Sequence, residues 1–155
     1  MTNIIKHLGY GLVLFCVGCG SPNIGGTYSF GDINTGPAGS LKIKPINADV
    51  AMFFLDVNKG KPSYNMAQLA GQMVINGSVG TYNQKVDANG LNCELTFKFS
   101  KEGVEVLTNS QRNYCGFGAN VQVSNIYHLT DEQIPEYYVT AEGDTVLFER
   151  IKVKE

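Results

Sequence analysis

Cys93-Glu94-Leu95-Thr96-Phe97-Lys98-Phe99-Ser100 is the stretch that decides the fold. Successive side chains of an extended chain alternate, so Cys93, Leu95, Phe97 and Phe99 point one way and Glu94, Thr96, Lys98 and Ser100 the other. Strict alternation marks an antiparallel strand with one face in the core and one in water. Lys101-Glu102-Gly103 follows, a short turn whose glycine is free to take positive φ, and Val104-Glu105-Val106 starts the return. Leu91–Leu107 therefore reads as a β-hairpin.

Outward from this hairpin the pattern repeats. Thr27–Phe30 sets Tyr28 and Phe30 on one face, and Leu41-Lys42-Ile43-Lys44 alternates until Pro45. Val50–Val57 is apolar on both faces, as a central or closed-barrel strand can be. Gln72–Ile75 and Ser78–Tyr82 flank Asn76-Gly77, a strong hairpin-turn dipeptide, and Asn89-Gly90 is a second one. Val121-Gln122-Val123 alternates, with Tyr127 beyond it. Thr145–Val153 forms the last strand after a Gly143-Asp144 turn. Two segments have helical signals: Ser63–Ala70, with Ser63 as N-cap and Gly71 as stop, and Thr130–Gln133, with capping-box spacing and Pro135 to end it. Short strands with Gly- and Asn-containing turns, and 18 glycines in all, predict an all-β chain. The expected architecture is a small antiparallel barrel of about eight strands, lipocalin-like or sandwich-like, with one or two short helical turns. Closure is favoured because it removes exposed strand edges.

The first residues carry an address. Lys6 and His7 precede an apolar run, Leu8–Val17, too short to span a bilayer as a mature helix. Val17-Gly18-Cys19 then resembles the end of a lipobox, with Cys16 where leucine is usual. The division expected is 1–18 signal peptide, 19–26 lipidated tether on Cys19 and 27–155 a single β domain. Cys16 and Gly18 also suit an ordinary signal peptidase site, which would leave a soluble periplasmic or secreted protein. With lipid on Cys19, the location implied is the bacterial cell envelope, as an outer-membrane lipoprotein facing the periplasm.

Charge and cysteines narrow the chemistry. Twelve Lys and Arg stand against 14 Asp and Glu, for a net charge of −2. Removing the leader takes Lys6 with it and makes the chain more acidic. A mildly acidic chain without a basic stripe is a poor nucleic-acid binder. Of the four cysteines, Cys93 and Cys115 remain as one pair in an oxidising compartment, which is what a disulfide needs. Closing a loop of roughly twenty residues stabilises by about 3 kcal/mol. Two cysteines without a partner His or CxxC do not fill a zinc shell, so no metal is expected.

Catalytic signatures are missing: no HExxH, GxSxG or P-loop occurs, and His128 is the lone histidine beyond the leader. The expectation is a protein that is not an enzyme and carries no cofactor. Asp56, inside the apolar Val50–Val57 run, is either a buried acid or the point where the strand emerges into solvent; the second is taken.

Two stretches together carry a likeness. Cys93–Phe99 has the pattern C-x-L-x-F-x-F, and Cys115-Gly116-Phe117-Gly118-Ala119-Asn120-Val121 the pattern C-G-F-G-x-N-V, with Tyr127 following. Over roughly residues 71–127 the chain resembles small bacterial envelope lipoproteins and, more distantly, the domains of lysozyme-inhibitor-like lipoproteins. The resemblance implies an envelope protein partner, with inhibition of a lysozyme-type glycosidase or neutralisation of a toxin as the activity. Asn109–Gly118 is the candidate partner-binding loop, with Arg112, Tyr114 and Phe117 its candidate contacts, since Arg and Tyr are common interface anchors. Phe117 also fits a tight β-bend with its ring in the core, the commoner fate of an aromatic. Two other functions stay open. Gly26-Thr27-Tyr28 resembles the Gly-x-Trp opening of lipocalins, implying a carrier of a small apolar ligand, and a purely structural envelope lipoprotein needs no ligand at all.

Overall fold

A computed structural model describes residues 23–86, 91–108 and 114–151. The leader, Cys19, Arg112 and the Asn89-Gly90 turn lie outside the described residues. Eight strands follow in chain order: β1 (Gly26–Gly31), β2 (Ala38–Pro45), β3 (Val50–Asn58), β4 (Met66–Asn76), β5 (Val79–Lys85), β6 (Asn92–Phe99), β7 (Val104–Thr108) and β8 (Asn125–Asp131). Each pairs antiparallel with the next, and β8 returns to β1 to close an up-and-down barrel. The hairpin read first is present, with Leu95 opposite Thr108 and Phe99 opposite Val104. The β4–β5 turn shows why the sequence needs glycine there. Asn76 pairs with Val79, so Gly77 is the first of two central residues, and its φ of 60° is what a type II′ turn requires.

Alternation fills the interior. Leu41, Ile43, Phe53, Leu55, Met73, Leu95, Phe97 and Tyr127 all have 0% of their surface accessible. A void wide enough for water would leave accessible area on its walls, so these side chains meet one another across the axis. Phe53 lies edge-on to Tyr82 at 5.1 Å between ring centres and tilted against Phe97 at 4.9 Å. Gly71 makes room for them, since a Cβ there would come within 2.5 Å of the Tyr82 ring. An eight-stranded barrel is just wide enough for such filling.

A second, smaller core lies outside the barrel wall. Met52 and Phe54, on the outer face of β3, are covered by Tyr138 and Phe148. These come from a hairpin of β9 (Tyr137–Val139) and β10 (Thr145–Leu147) and the 3₁₀ turn Phe148–Arg150 that follows it. Phe54 stacks on Tyr138 with ring centres 4.1 Å apart. The two apolar faces of Val50–Val57 thus have two different partners, the barrel interior and this hairpin.

Several local expectations are corrected. Ser63–Ala70 is not helical: residues 61–63 turn and Met66 opens β4, because Ala67 has a barrel interior to enter. Thr130 and Asp131 end β8, and the Asp131 carboxylate accepts from the Gln133 amide, 2.9 Å, in a local turn rather than a helix cap. Val121–Val123 is not a strand; Val123 is buried within a connection. The segment from Thr145 gives only the three-residue β10 before the 3₁₀ turn, so the strand that closes the barrel is Asn125–Asp131.

Candidate functional site

The up-and-down order divides the loops between two mouths. Asn23–Gly25 and the β2–β3, β4–β5 and β6–β7 turns sit at the N-terminal mouth. The β1–β2, β3–β4, β5–β6 and β7–β8 connections sit at the opposite one. The last of these, residues 109–124, contains the candidate binding loop, and its described part forms a lid.

Three attachments hold that lid. Cys115 is disulfide-bonded to Cys93 at the start of β6. On the other side, the Gly118 amide donates to the Met66 carbonyl at 2.9 Å, and the Asn65 side-chain amide donates to the Ala119 carbonyl at 2.8 Å. The lid therefore crosses from β6 to β4. Beneath it, Cys115, Phe117 and Val121 pack on the barrel core and Val123 joins it. The buried Tyr127 hydroxyl donates to the Val123 carbonyl at 2.9 Å. Burial pushes that hydroxyl's pKa up, and the charge of Asp56 adds to the effect. At the foot of the lid the Thr108 amide donates to the Ser124 hydroxyl at 3.1 Å.

The predicted site residues separate on this lid. Phe117 is half-buried and faces the barrel, so its ring is available to hold the lid down. Tyr114 is half-buried beside the disulfide. Gly116 takes a φ of 74°, a conformation that favours glycine. Sequence reasoning missed a residue in the connection to which the lid bonds. Tyr64, in the β3–β4 connection, is 46% exposed and has a φ of 50°. Non-glycine residues in this left-handed region are uncommon and cluster at functional sites. Its neighbour Asn65 is the residue that bonds to the lid. The helix reading of Ser63–Ala70 hid Tyr64; the Gly60-Lys61-Pro62 turn signal before it was the available clue.

The N-terminal mouth is built more simply. Ile24 packs on the core, and the Tyr28 hydroxyl donates to its carbonyl at 3.0 Å. Two grooves border this segment. One, of about 540 Å³, runs between Asn23, Pro45, Asp49 and Val74; the other, of about 310 Å³, is mainly apolar and lies between Ile24, Tyr28 and Phe99.

Titratable groups are scattered. His128 Nδ1 contacts the Glu102 carbonyl at 2.9 Å near the N-terminal mouth. Among the described residues no three His, Cys, Asp or Glu side chains gather in a way that could hold a metal ion. Asp56 corrects the expectation that it simply emerges into solvent. Desolvation pushes its pKa above the ordinary value, partly offset by the Gln68 amide that donates to it, and its Oδ1 is buried without a hydrogen-bond partner. The C-terminal hairpin reaches the same stretch of outer wall: its Ala141 amide donates to Gln68 Oε1 at 3.0 Å, and Gln68 lies opposite Asp56.

Comparison of the chain with protein-family models, curated proteins and solved structures returned no match.

Proposed function

We propose that the protein is a lipid-anchored domain of the bacterial envelope that binds a protein partner through the surface around its disulfide-stapled lid, and that it acts as an inhibitor of a lysozyme-type glycosidase or as a neutraliser of a toxin. The observation that carries this reading is the lid. A loop attached on both sides of a barrel mouth and packed from beneath is preorganised, and preorganisation lowers the entropic cost of association. The exposed Tyr64, Tyr114 and the polar composition of Asn109–Tyr114 offer the aromatic and arginine chemistry typical of interface anchors. The lipobox-like Val17-Gly18-Cys19 and the resemblance over residues 71–127 support the envelope location and the class of partner.

The filled interior weighs against a lipocalin-like carrier, because a carrier needs an apolar cavity inside the barrel. A structural lipoprotein without a ligand is the outcome if no partner exists.

The experiment is photo-crosslinking in living cells, with the crosslinker placed at Tyr64 or Tyr114 and, as control, at Thr81 on the exposed outer face of β5. A discrete protein adduct from the first two positions and none from Thr81 is expected. A parallel assay measures lysozyme activity with purified protein at micromolar concentration. No adduct and no inhibition would remove the reading.

A further inference from the structure

The two most exposed large hydrophobic residues among those described are Val74 and Ile46, at 56% and 54%. Both belong to the N-terminal mouth. Val74 lines the 540 Å³ groove, and Ile46 sits between Pro45 and Asn47, which line it too. Ile134 is also exposed and lies over Gly25, where it and Pro45 would meet any added Cβ. The apolar groove between Ile24 and Phe99 opens at the same mouth. We infer that this mouth rests on the bilayer, with Ile46 and Val74 in the boundary between headgroups and acyl chains, so that the barrel stands upright and holds its lid away from the membrane. The inference rests on the lipid-anchor reading above and adds an orientation to it.

Chain length selects the occupant. Cys19 is four residues from Asn23, a span of at most roughly 14 Å fully extended. Strands of seven to nine residues, tilted as barrel strands are, give a height of roughly 20 Å. A lipid on Cys19 therefore keeps the N-terminal mouth at the surface, and the tether is too short for an inverted barrel with its lid mouth down; a barrel lying on its side would instead bring the exposed Val139 of the outer hairpin to the bilayer. The lid mouth has exposed apolar residues of its own, Ile33, Tyr64 and Val86; the tether makes the two sets unequal. Charge does not drive the contact, since Asp49 on one turn and Glu102 on another share this mouth with Lys101. The surface is a zwitterionic bilayer, met by apolar side chains, and the contact persists in salt.

The chain has no tryptophan, so a single introduced indole reports only its own position. Full-length Ile46→Trp, Val74→Trp, Tyr64→Trp and Val139→Trp proteins, purified from membranes, are reconstituted into phosphatidylcholine vesicles containing brominated lipid. Emission from positions 46 and 74 should fall by at least about two-fold, as expected for side chains within the headgroup and acyl boundary, and positions 64 and 139 should not respond. Quenching at 64 or 139 in place of 46 and 74 overturns the orientation, as does no quenching at any position. Intact-mass measurement on the same samples tests the anchor separately. A lipid-modified Cys19 with unquenched 46 and 74 removes the orientation alone. An unmodified Cys19 removes the anchor reading and this inference with it.

Discussion

The two mouths of the barrel are closed by different means. At the lid mouth, the described residues Tyr114–Ser124 span from β6 to β4, fixed by a disulfide and two hydrogen bonds to β4 and its approach, with Phe117, Val121 and Val123 filling the space beneath. At the N-terminal mouth Ile24 packs on the core beside the half-buried Phe99, and the Tyr28 hydroxyl donates to the Ile24 carbonyl. Grooves border the N-terminal plug on both sides. A covalent staple restricts the unfolded chain, whereas a plug gains only what it buries. The lid mouth is thus held to one shape by links that survive local opening, and the N-terminal mouth by packing alone. If the proposed function holds, the stapled mouth presents fixed contacts and the other follows the tether.

The largest test of this contrast removes the staple. Cys93→Ala with Cys115→Ala should lower the unfolding free energy by about 3 kcal/mol, measured by urea titration of the doubly substituted protein against the unsubstituted one. Hydrogen exchange sharpens the result. The Gly118 amide, bonded to the Met66 carbonyl, should lose protection well beyond the global change, while amides of β1 follow the global change only. Equal local loss at both mouths would break the contrast.

Ile24→Ala is the matching test at the other end. A fully buried isoleucine costs 2–5 kcal/mol on truncation, and Ile24 is only half-buried, so about 1 kcal/mol is expected. Lid crosslinking through Tyr64 and Tyr114 should be unchanged. A loss as large as that of the disulfide would mean that the N-terminal segment is a structural keystone and not a plug that gains only what it buries.

The parts of this molecule that were legible in the sequence are those whose side chains alternate. Cys93–Phe99 sends Cys93, Leu95 and Phe97 inward, and the pattern says so. The closing strand was not legible for the same reason. In Asn125–Asp131 only Tyr127 is buried, so no period of two exists to be read; β8 is held by backbone pairing to β1 and β7. The outer hairpin was hidden differently. Val50–Val57 announced two apolar faces, but nothing local to it tells that Tyr138 and Phe148, some eighty residues on in the chain, cover the outer one. The lid falls between these cases. Cys93 and Cys115 gave the staple, and the direction Phe117 faces depended on a barrel mouth that only the closed topology supplies.

Asp56 gives the smallest effect and ties pH to the lid side of this contrast. It alternates with Met52 and Phe54 on the outer wall, opposite Gln68 on β4, and its charge is felt by Tyr127, which bonds to the lid. Its pKa is raised in the folded protein from an ordinary value of 3.8, chiefly by desolvation. A carboxyl raised in this way binds its proton more tightly folded than unfolded. Its contribution to stability is therefore fully present below pH 3.8 and is lost as pH rises through the folded value. Above that value the folded protein carries a partly buried carboxylate with one oxygen unpartnered. Asp56→Asn removes the charge and keeps the shape, with Gln68 still able to donate to it. Stability should rise at pH 7, because the charge that burial disfavours is gone, and the two proteins should converge near pH 3. Urea titrations at both pH values read this directly. If Asp56→Asn is less stable at pH 7, the carboxylate has a cationic partner in solution, and the burial account of its raised pKa is wrong.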